Sequence, residues 1–219
     1  CRFTLVLWPA FGLLDIPTWV IWSYRCPVSI VVHDVEPLHN SFGYGKFARA
    51  AVRLAIAVSR IDVICHTDAA AHEFKNVTGV VASIVPHPIM PSESTTAPSS
   101  AGRHKPTVRV LGQFKATRTV EPLAELARSM QPADLFNLEI VGRGWPKVEG
   151  WVVRDEFVSE QEFSDLVSTS DFILIPYTRF YQSGVAVRAL EGGVPVVAPD
   201  HPHIRELYGE SWIGIVKDG

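Results

Sequence analysis

The sequence predicts an α/β protein with two doubly wound parallel-sheet domains, and three observations carry this. Short apolar runs rich in β-branched residues alternate with segments of 3.6-residue apolar period. The apolar runs hold few polar residues, as strands covered on both faces do. The alternation stops over residues 91–106 and then restarts. Repeated β–α alternation places parallel strands in one sheet, with ligands expected at their carboxyl ends.

In the first half, Phe3–Trp8 reads as a strand and Ile16–Tyr24 as the helix that crosses over. Pro9, Asp15 and Pro17 interrupt this apolar stretch, which argues against a membrane span. Val28–Val32 is a second strand, ending at His33-Asp34, and an irregular segment runs to Gly45. Lys46–Arg60 is a helix whose apolar face is Phe47, Ala50, Ala51, Leu54 and Val58. Ile61–Cys65 is a third strand. Thr67–Lys75 is a helix capped by Thr67 or Asp68. Val81–Val85 is a fourth strand.

Residues 91–106 are rich in Pro, Ser and Thr without period and read as a linker. The domains are therefore expected at 1–90 and 107–219. In the second, strands at Val108–Leu111, Leu138–Val141, Phe172–Ile175 and Val194–Ala198 alternate with helices. The helices are Val120–Met130, Glu160–Ser168, Gly184–Glu191 and His203–Tyr208.

Composition narrows the function classes. The chain has 219 residues, 47% hydrophobic and 20% charged, which is globular and long enough for two small domains. The net charge of −3 supplies no basic field for nucleic acid, and no nucleic-acid motif is present. Cys1, Cys26 and Cys65 are odd in number and far apart. They read as reduced thiols of a cytoplasmic protein rather than a disulfide or zinc framework.

Two segments suit an anion. Gly112-Gln113-Phe114-Lys115-Ala116-Thr117-Arg118 follows a strand, and the Arg118 guanidinium is able to hold two phosphate oxygens. The same residues suit an ordinary solvated loop. Ser183-Gly184-Val185 opens a helix with a good N-cap, a glycine that admits close approach, and free N–H groups at the positive end of the dipole. An ordinary capped helix has the same pattern. His33-Asp34 at a strand end suits contact with a sugar or acceptor hydroxyl, and equally a structural histidine. Lys46, Arg49, Arg53 and Arg60 share one side of their helix, which suits either solvent or an anionic membrane surface.

The order VLGQFKATRTVEPL, LEIVGRG, EFVSEQEFSDLVSTSDFILIPY and SGVAVRALEGGVPVVAPD resembles the donor domain of family 4 glycosyltransferases. VVHDVEP, DVICHTDAAAHEF and IVPHP resemble the later part of that family's acceptor domain. The resemblance covers nearly the whole chain. It implies the GT-B architecture, two Rossmann-like domains facing a cleft, here lacking both ends.

The resemblance also implies roles. An Arg and a Lys that hold the donor diphosphate in the family correspond to Gln113 and Arg118. Ser183, Gly184 and Val185 would contribute helix-start donors, and His33, with Asp34, would lie near the transferred sugar. Two family glutamates eight apart correspond to Phe180 and Arg188, so this chain matches a subgroup with SGV in their place. Gly112, Gly142, Arg188 and Glu191 are the candidate contacts to nucleoside or sugar.

The implied activity moves a hexose from a UDP- or GDP-linked sugar to a glycan or lipid-linked acceptor. Retention of configuration is implied, with no metal and no cofactor beyond the nucleotide sugar. Polysaccharide biosynthesis in the cytoplasm, at the inner face of the plasma membrane through the 46–60 helix, fits that chemistry. A catalytically silent GT-B scaffold, an epimerase or a phosphorylase are the alternatives. There is no G-x-S-x-G and no G-x-x-x-x-G-K-[ST], which sets aside α/β-hydrolase and P-loop chemistry.

Overall fold

The computed structural model describes residues 2–7, 10–36, 42–90, 105–115, 117–129, 135–177 and 179–217. The chain divides into two compact units, Cys1–Pro88 and Ile89–Gly219. Most of the expected linker, 91–104, lies outside the described residues, as do Trp8 and Met130 at the ends of two expected elements.

The first unit is a four-stranded parallel sheet of β1 (Thr4–Val6), β2 (Val28–Val31), β3 (Ile61–Cys65) and β4 (Ser83–Ile84), in that order. The central strands bury Val28, Ile30, Val31, Val63 and Cys65. The single helix expected over 16–24 is instead a 3-10 turn (Gly12–Leu14), α1 (Asp15–Thr18) and α2 (Val20–Ser23). The reason is local. Pro17 offers no amide, and the Thr18 and Ser23 hydroxyls bond back to the Asp15 and Val20 carbonyls, each at 2.6 Å.

The helix α3 (Lys46–Val58) packs on a face rotated by roughly 100° from the expected one. Ala48, Val52 and Ala55 are buried, whereas Phe47 is 79% and Leu54 66% exposed. The helix carries two apolar rows, and the row of small residues is the one that lets it sit close to its neighbours. Arg53 donates to the Thr78 carbonyl and ties α3 to the end of α4 (Asp68–Thr78). Thr67 caps α4 by accepting from Ala70 N at 3.1 Å, and the left-handed Gly79 ends it.

The second unit is a six-stranded parallel sheet. Its strands are β5 (Thr107–Leu111), β6 (Asn137–Val141), β7 (Val152–Arg154), β8 (Phe172–Leu174), β9 (Val196–Pro199) and β10 (Ile215–Val216). Helices α5 (Glu121–Ser129), α6 (Glu160–Ser168), α7 (Gly184–Glu191) and α8 (Pro202–Tyr208) cover it. Val110 and Ile140 enter one core cluster with Leu123 and Trp145, while Leu111 and Val141 enter another with Ile173 and Ala186. Successive residues thus point to opposite, equally apolar faces.

The strand order is β10-β9-β8-β5-β6-β7. From β5 the chain steps outward through β6 and β7, then returns to the other side of β5 at β8. The reversal point lies between β5 and β8, and open parallel sheets bind ligands at the carboxyl ends there. Among the described residues, no helix is long and apolar enough to cross a membrane.

Candidate functional site

At the β5–β8 reversal the backbone itself is crowded. A Cβ on Gly142 would lie 2.3 Å from the Gly112 carbonyl oxygen, so position 142 admits only glycine. Gly112 has φ +94, and a Cβ there would meet Arg118 Nη2 at 3.0 Å and Val185 Cγ2 at 3.8 Å. The ends of β5 and β6, the Arg118 side chain and the start of α7 therefore meet around one residue, Gly112.

Arg118 is 6% exposed. Its Nη1 donates to the Leu111 and Gly112 carbonyls at 3.0 Å each, and its Nη2 donates to the Tyr177 hydroxyl at 2.6 Å. The guanidinium carbon lies 4.6 Å from the centre of the Tyr177 ring and 5.4 Å from that of Trp145. Trp145 Nε1 donates to the same Gly112 carbonyl at 2.8 Å. Among the described residues, Nε of Arg118 has no partner.

All of these partners are neutral dipoles or π faces, so among the described residues the buried charge meets no carboxylate in its bonding shell. Burial lowers the pKa of this guanidinium, and the bond to Tyr177 works in the other direction. A buried cation normally has an anionic partner. Thr119 N donates to the Pro176 carbonyl at 3.2 Å, so the loops after β5 and β8 are joined over the reversal point.

The helix α7 begins beside this cation. Ser183 is buried and accepts from Ala186 N at 3.2 Å, and Val187 N bonds the Ser183 carbonyl. Gly184 and Val185 stand in the first turn, where amides have no acceptor within the helix. Among the described residues, nothing lies within 4 Å of the place a Gly184 Cβ would occupy. An open helix start of this kind, with the positive end of its dipole, suits an anion.

The other expected residues sort differently. Gln113 is exposed on the loop. Arg188 faces α6, donating to Glu160 at 2.6 Å and Ser164 at 2.7 Å, with Glu191 at 3.4 Å. Glu191 accepts from Met90 N at 2.8 Å and its side chain is 9% exposed. Both brace α7 near its far end. Phe180, which the sequence resemblance sets at a glutamate position, is buried and stacked on His201 with ring centres 3.8 Å apart.

Tyr177 and Trp145, which enclose the cation, escape a reading of the sequence. The only signal for them there is an aromatic just beyond the end of β8 and another just after the Gly142-Arg143-Gly144 turn. Arg143 is likewise missed: it is exposed, and its carbonyl accepts from Phe114 N at 2.9 Å.

His33 and Asp34 belong to the first unit. His33 Nε2 bonds the Leu7 carbonyl at 2.8 Å, and its ring centre is 5.5 Å from that of His66. The Tyr44 hydroxyl donates to the Asp34 carbonyl at 3.3 Å. Burial raises the Tyr44 pKa, with Asp34 and then Asp15 adding to it. No group of three or more His, Cys, Asp or Glu among the described residues is placed to hold a metal ion.

No family model and no curated protein sequence matches this chain. Solved structures do. A mutant of S. aureus TarM in complex with Fondaparinux, alpha-GlcNAc-glycerol and UDP aligns over 84% of this chain and 38% of its own, with TM-score 0.59 and 14% identity. Sucrose-phosphate synthase from Thermosynechococcus elongatus aligns over 89% of this chain and 55% of its own, with TM-score 0.61 and 15% identity. WaaG, a glycosyltransferase involved in lipopolysaccharide biosynthesis, aligns over 99% and 85%, with TM-score 0.59 and 12% identity. The chain thus spans about half the length or less of two of these three, and the likeness establishes the fold of GT-B glycosyltransferases.

Proposed function

We propose that this protein transfers a hexose from a nucleoside diphosphate sugar to a glycan or lipid-linked acceptor, with retention and without a metal. The observation that carries this is Arg118. It is a buried guanidinium with neutral partners among the described residues, set against an open helix start at the reversal point of a parallel sheet. A donor diphosphate is the missing counter-charge. The TarM structure with UDP lends support by its shared fold.

In this reading the second unit stabilises the leaving diphosphate. Arg118 supplies the charge from beneath, in surroundings that strengthen its field. The Gly184 and Val185 amides supply direct donors, and the Gln113 amide is a neutral third. Arg188 and Glu191 act indirectly, by holding α7 in place. His33 orients sugar or acceptor in the first unit. The exposed row Phe47, Leu54 and Val58, beside Lys46, supports contact of α3 with an anionic membrane.

The test is donor turnover by the full protein. Arg118→Ala should lose at least tenfold in kcat, and unchanged turnover in a folded variant would refute the phosphate role. A silent scaffold is the second reading, favoured by Phe180 and Arg188 at the family's glutamate positions. Calorimetric titration with UDP and GDP separates the two, because a scaffold with a dead donor site binds neither.

A further inference from the structure

Most of the donors on the Arg118 guanidinium are already committed inside the protein. Nη1 donates to the carbonyls of Leu111 and Gly112, and Nη2 donates to the Tyr177 hydroxyl. Three of the five guanidinium N–H groups are thus engaged. Nε is buried. A fork on a phosphate needs two neighbouring N–H groups at the surface. Nη1 has both hydrogens in use and Nε is covered, so no such pair remains. The charge is at the site, but a solute does not grip it in the usual way.

Tyr177 leads from this charge to the outside. Its residue is half-buried, whereas Arg118 beneath it is buried. Its oxygen accepts from Nη2, so its own hydrogen points away from the guanidinium. That hydrogen has no acceptor among the described residues. A backbone bridge pairs Tyr177 with Arg118 and fixes the ring over the loop after β5. Tyr177 and Val185 pack against the same core cluster, which contains Leu111 and Ala186. The Nη2 that reaches the hydroxyl is also the atom 3.0 Å from the place of a Gly112 Cβ. The hydroxyl therefore stands at the corner where β5 and the start of α7 meet.

A cation bonded to the oxygen of a hydroxyl makes its O–H a stronger donor. A carboxylate in this place would cancel the buried charge, whereas a neutral phenol transmits it. What the O–H then favours is a negatively charged oxygen, because the uncompensated cation lies directly behind it. A sugar hydroxyl or a base carbonyl brings no such charge. We propose that Tyr177 makes the contact, its O–H donating to an oxygen of the donor's diphosphate, and that Arg118 acts through it as a positioning residue. This rests on the donor reading of the second unit and states how the buried cation works within it.

The test is calorimetric titration of UDP, GDP and their nucleosides into the whole chain, as wild type and as Tyr177→Phe. Phenylalanine keeps the ring against the guanidinium and removes only the hydroxyl. The better-bound diphosphate should lose at least tenfold in affinity, the worth of a hydrogen bond to a charged group, while the nucleoside affinity stays unchanged. A merely structural role would weaken both ligands alike. The second measurement places 3-fluorotyrosine at position 177, at a pH where the phenol stays protonated. Fluorine strengthens the O–H as a donor and weakens the oxygen as an acceptor, so the diphosphate should bind more tightly than to wild type. Unchanged diphosphate affinity in a folded Tyr177→Phe variant, equal losses for nucleoside and diphosphate, or no tightening with 3-fluorotyrosine would each overturn the proposal. Wild type that binds neither UDP nor GDP overturns the donor reading itself. Wild type that binds while Tyr177→Phe binds equally well overturns this inference alone.

Discussion

Gly184 offers a clean separation of binding from folding. A Cβ added there meets nothing within 4 Å among the described residues, and φ is not in the left-handed region, so neither clash nor strain opposes a larger residue. Gly184→Ala should be neutral or should stabilise by up to about 1 kcal/mol, because glycine is the costlier residue in a helix. Gly184→Val should leave the melting temperature within a few degrees of wild type. Its branched side chain, however, fills the space an oxygen of the diphosphate needs in order to reach the Gly184 and Val185 amides. Losing one hydrogen bond to a charged group costs about 1.5–3 kcal/mol. At about 1.4 kcal/mol per factor of ten, this is roughly 10- to 150-fold in Kd. The assay is calorimetric titration of UDP and GDP into wild type, Gly184→Ala and Gly184→Val. Wild-type affinity in a folded Gly184→Val variant would refute the assignment of the helix start to the phosphates.

Three further outcomes test other parts of the structure. Gly142→Ala should destabilise by more than about 3 kcal/mol in urea unfolding, because its Cβ would fall on the Gly112 carbonyl. Gly193→Ala, strained by its φ of 67 but meeting nothing within 4 Å among the described residues, should cost only ~1–2 kcal/mol. Equal costs would contradict the close approach. On α3, Phe47→Ser and Leu54→Ser should cost under about 0.5 kcal/mol, whereas Phe74→Ala in α4 should cost ~3–5 kcal/mol. A core-sized loss at Phe47 would contradict the packing face. Burial holds the pKa of His66 and of His201 below the ordinary value, so folding disfavours their protonation. Their stabilising contribution is complete above ~6.5 and falls as pH drops below that. Unfolding free energies between pH 7.5 and 5 should decline, and His66→Asn with His201→Asn should flatten the decline. An unchanged slope would contradict both burials.

Much of the fold was legible because strand and helix signals in parallel sheets are strong and local. Val28–Val31 and Ile61–Cys65 hold few polar residues, and Ser183 caps α7 as its sequence suggests. The edge strands β7 and β10 were not legible, because charged residues from Arg154 and from Lys217 cut their apolar runs short. The packing face of α3 is ambiguous in sequence because two apolar rows coexist. The large residues suggest a core there, yet the small ones form it.

At the site, Gly112, Arg118 and Ser183–Val185 were legible as separate segments. Their meeting at Gly112 was not, since it depends on β8 returning beside β5. The inward burial of Arg118 depends on Tyr177 and Trp145, which lie on other loops.

The central claim is that the second unit recognises a diphosphate at the Arg118–Gly184 corner. The direct measurement is the affinity of whichever of UDP or GDP binds better, compared with its nucleoside and monophosphate, at two salt concentrations. The account predicts affinity that rises with each phosphate, with the diphosphate at least tenfold tighter than the nucleoside and the gap narrowing as salt increases. A nucleoside that binds as tightly as its diphosphate, at either salt concentration, would contradict it.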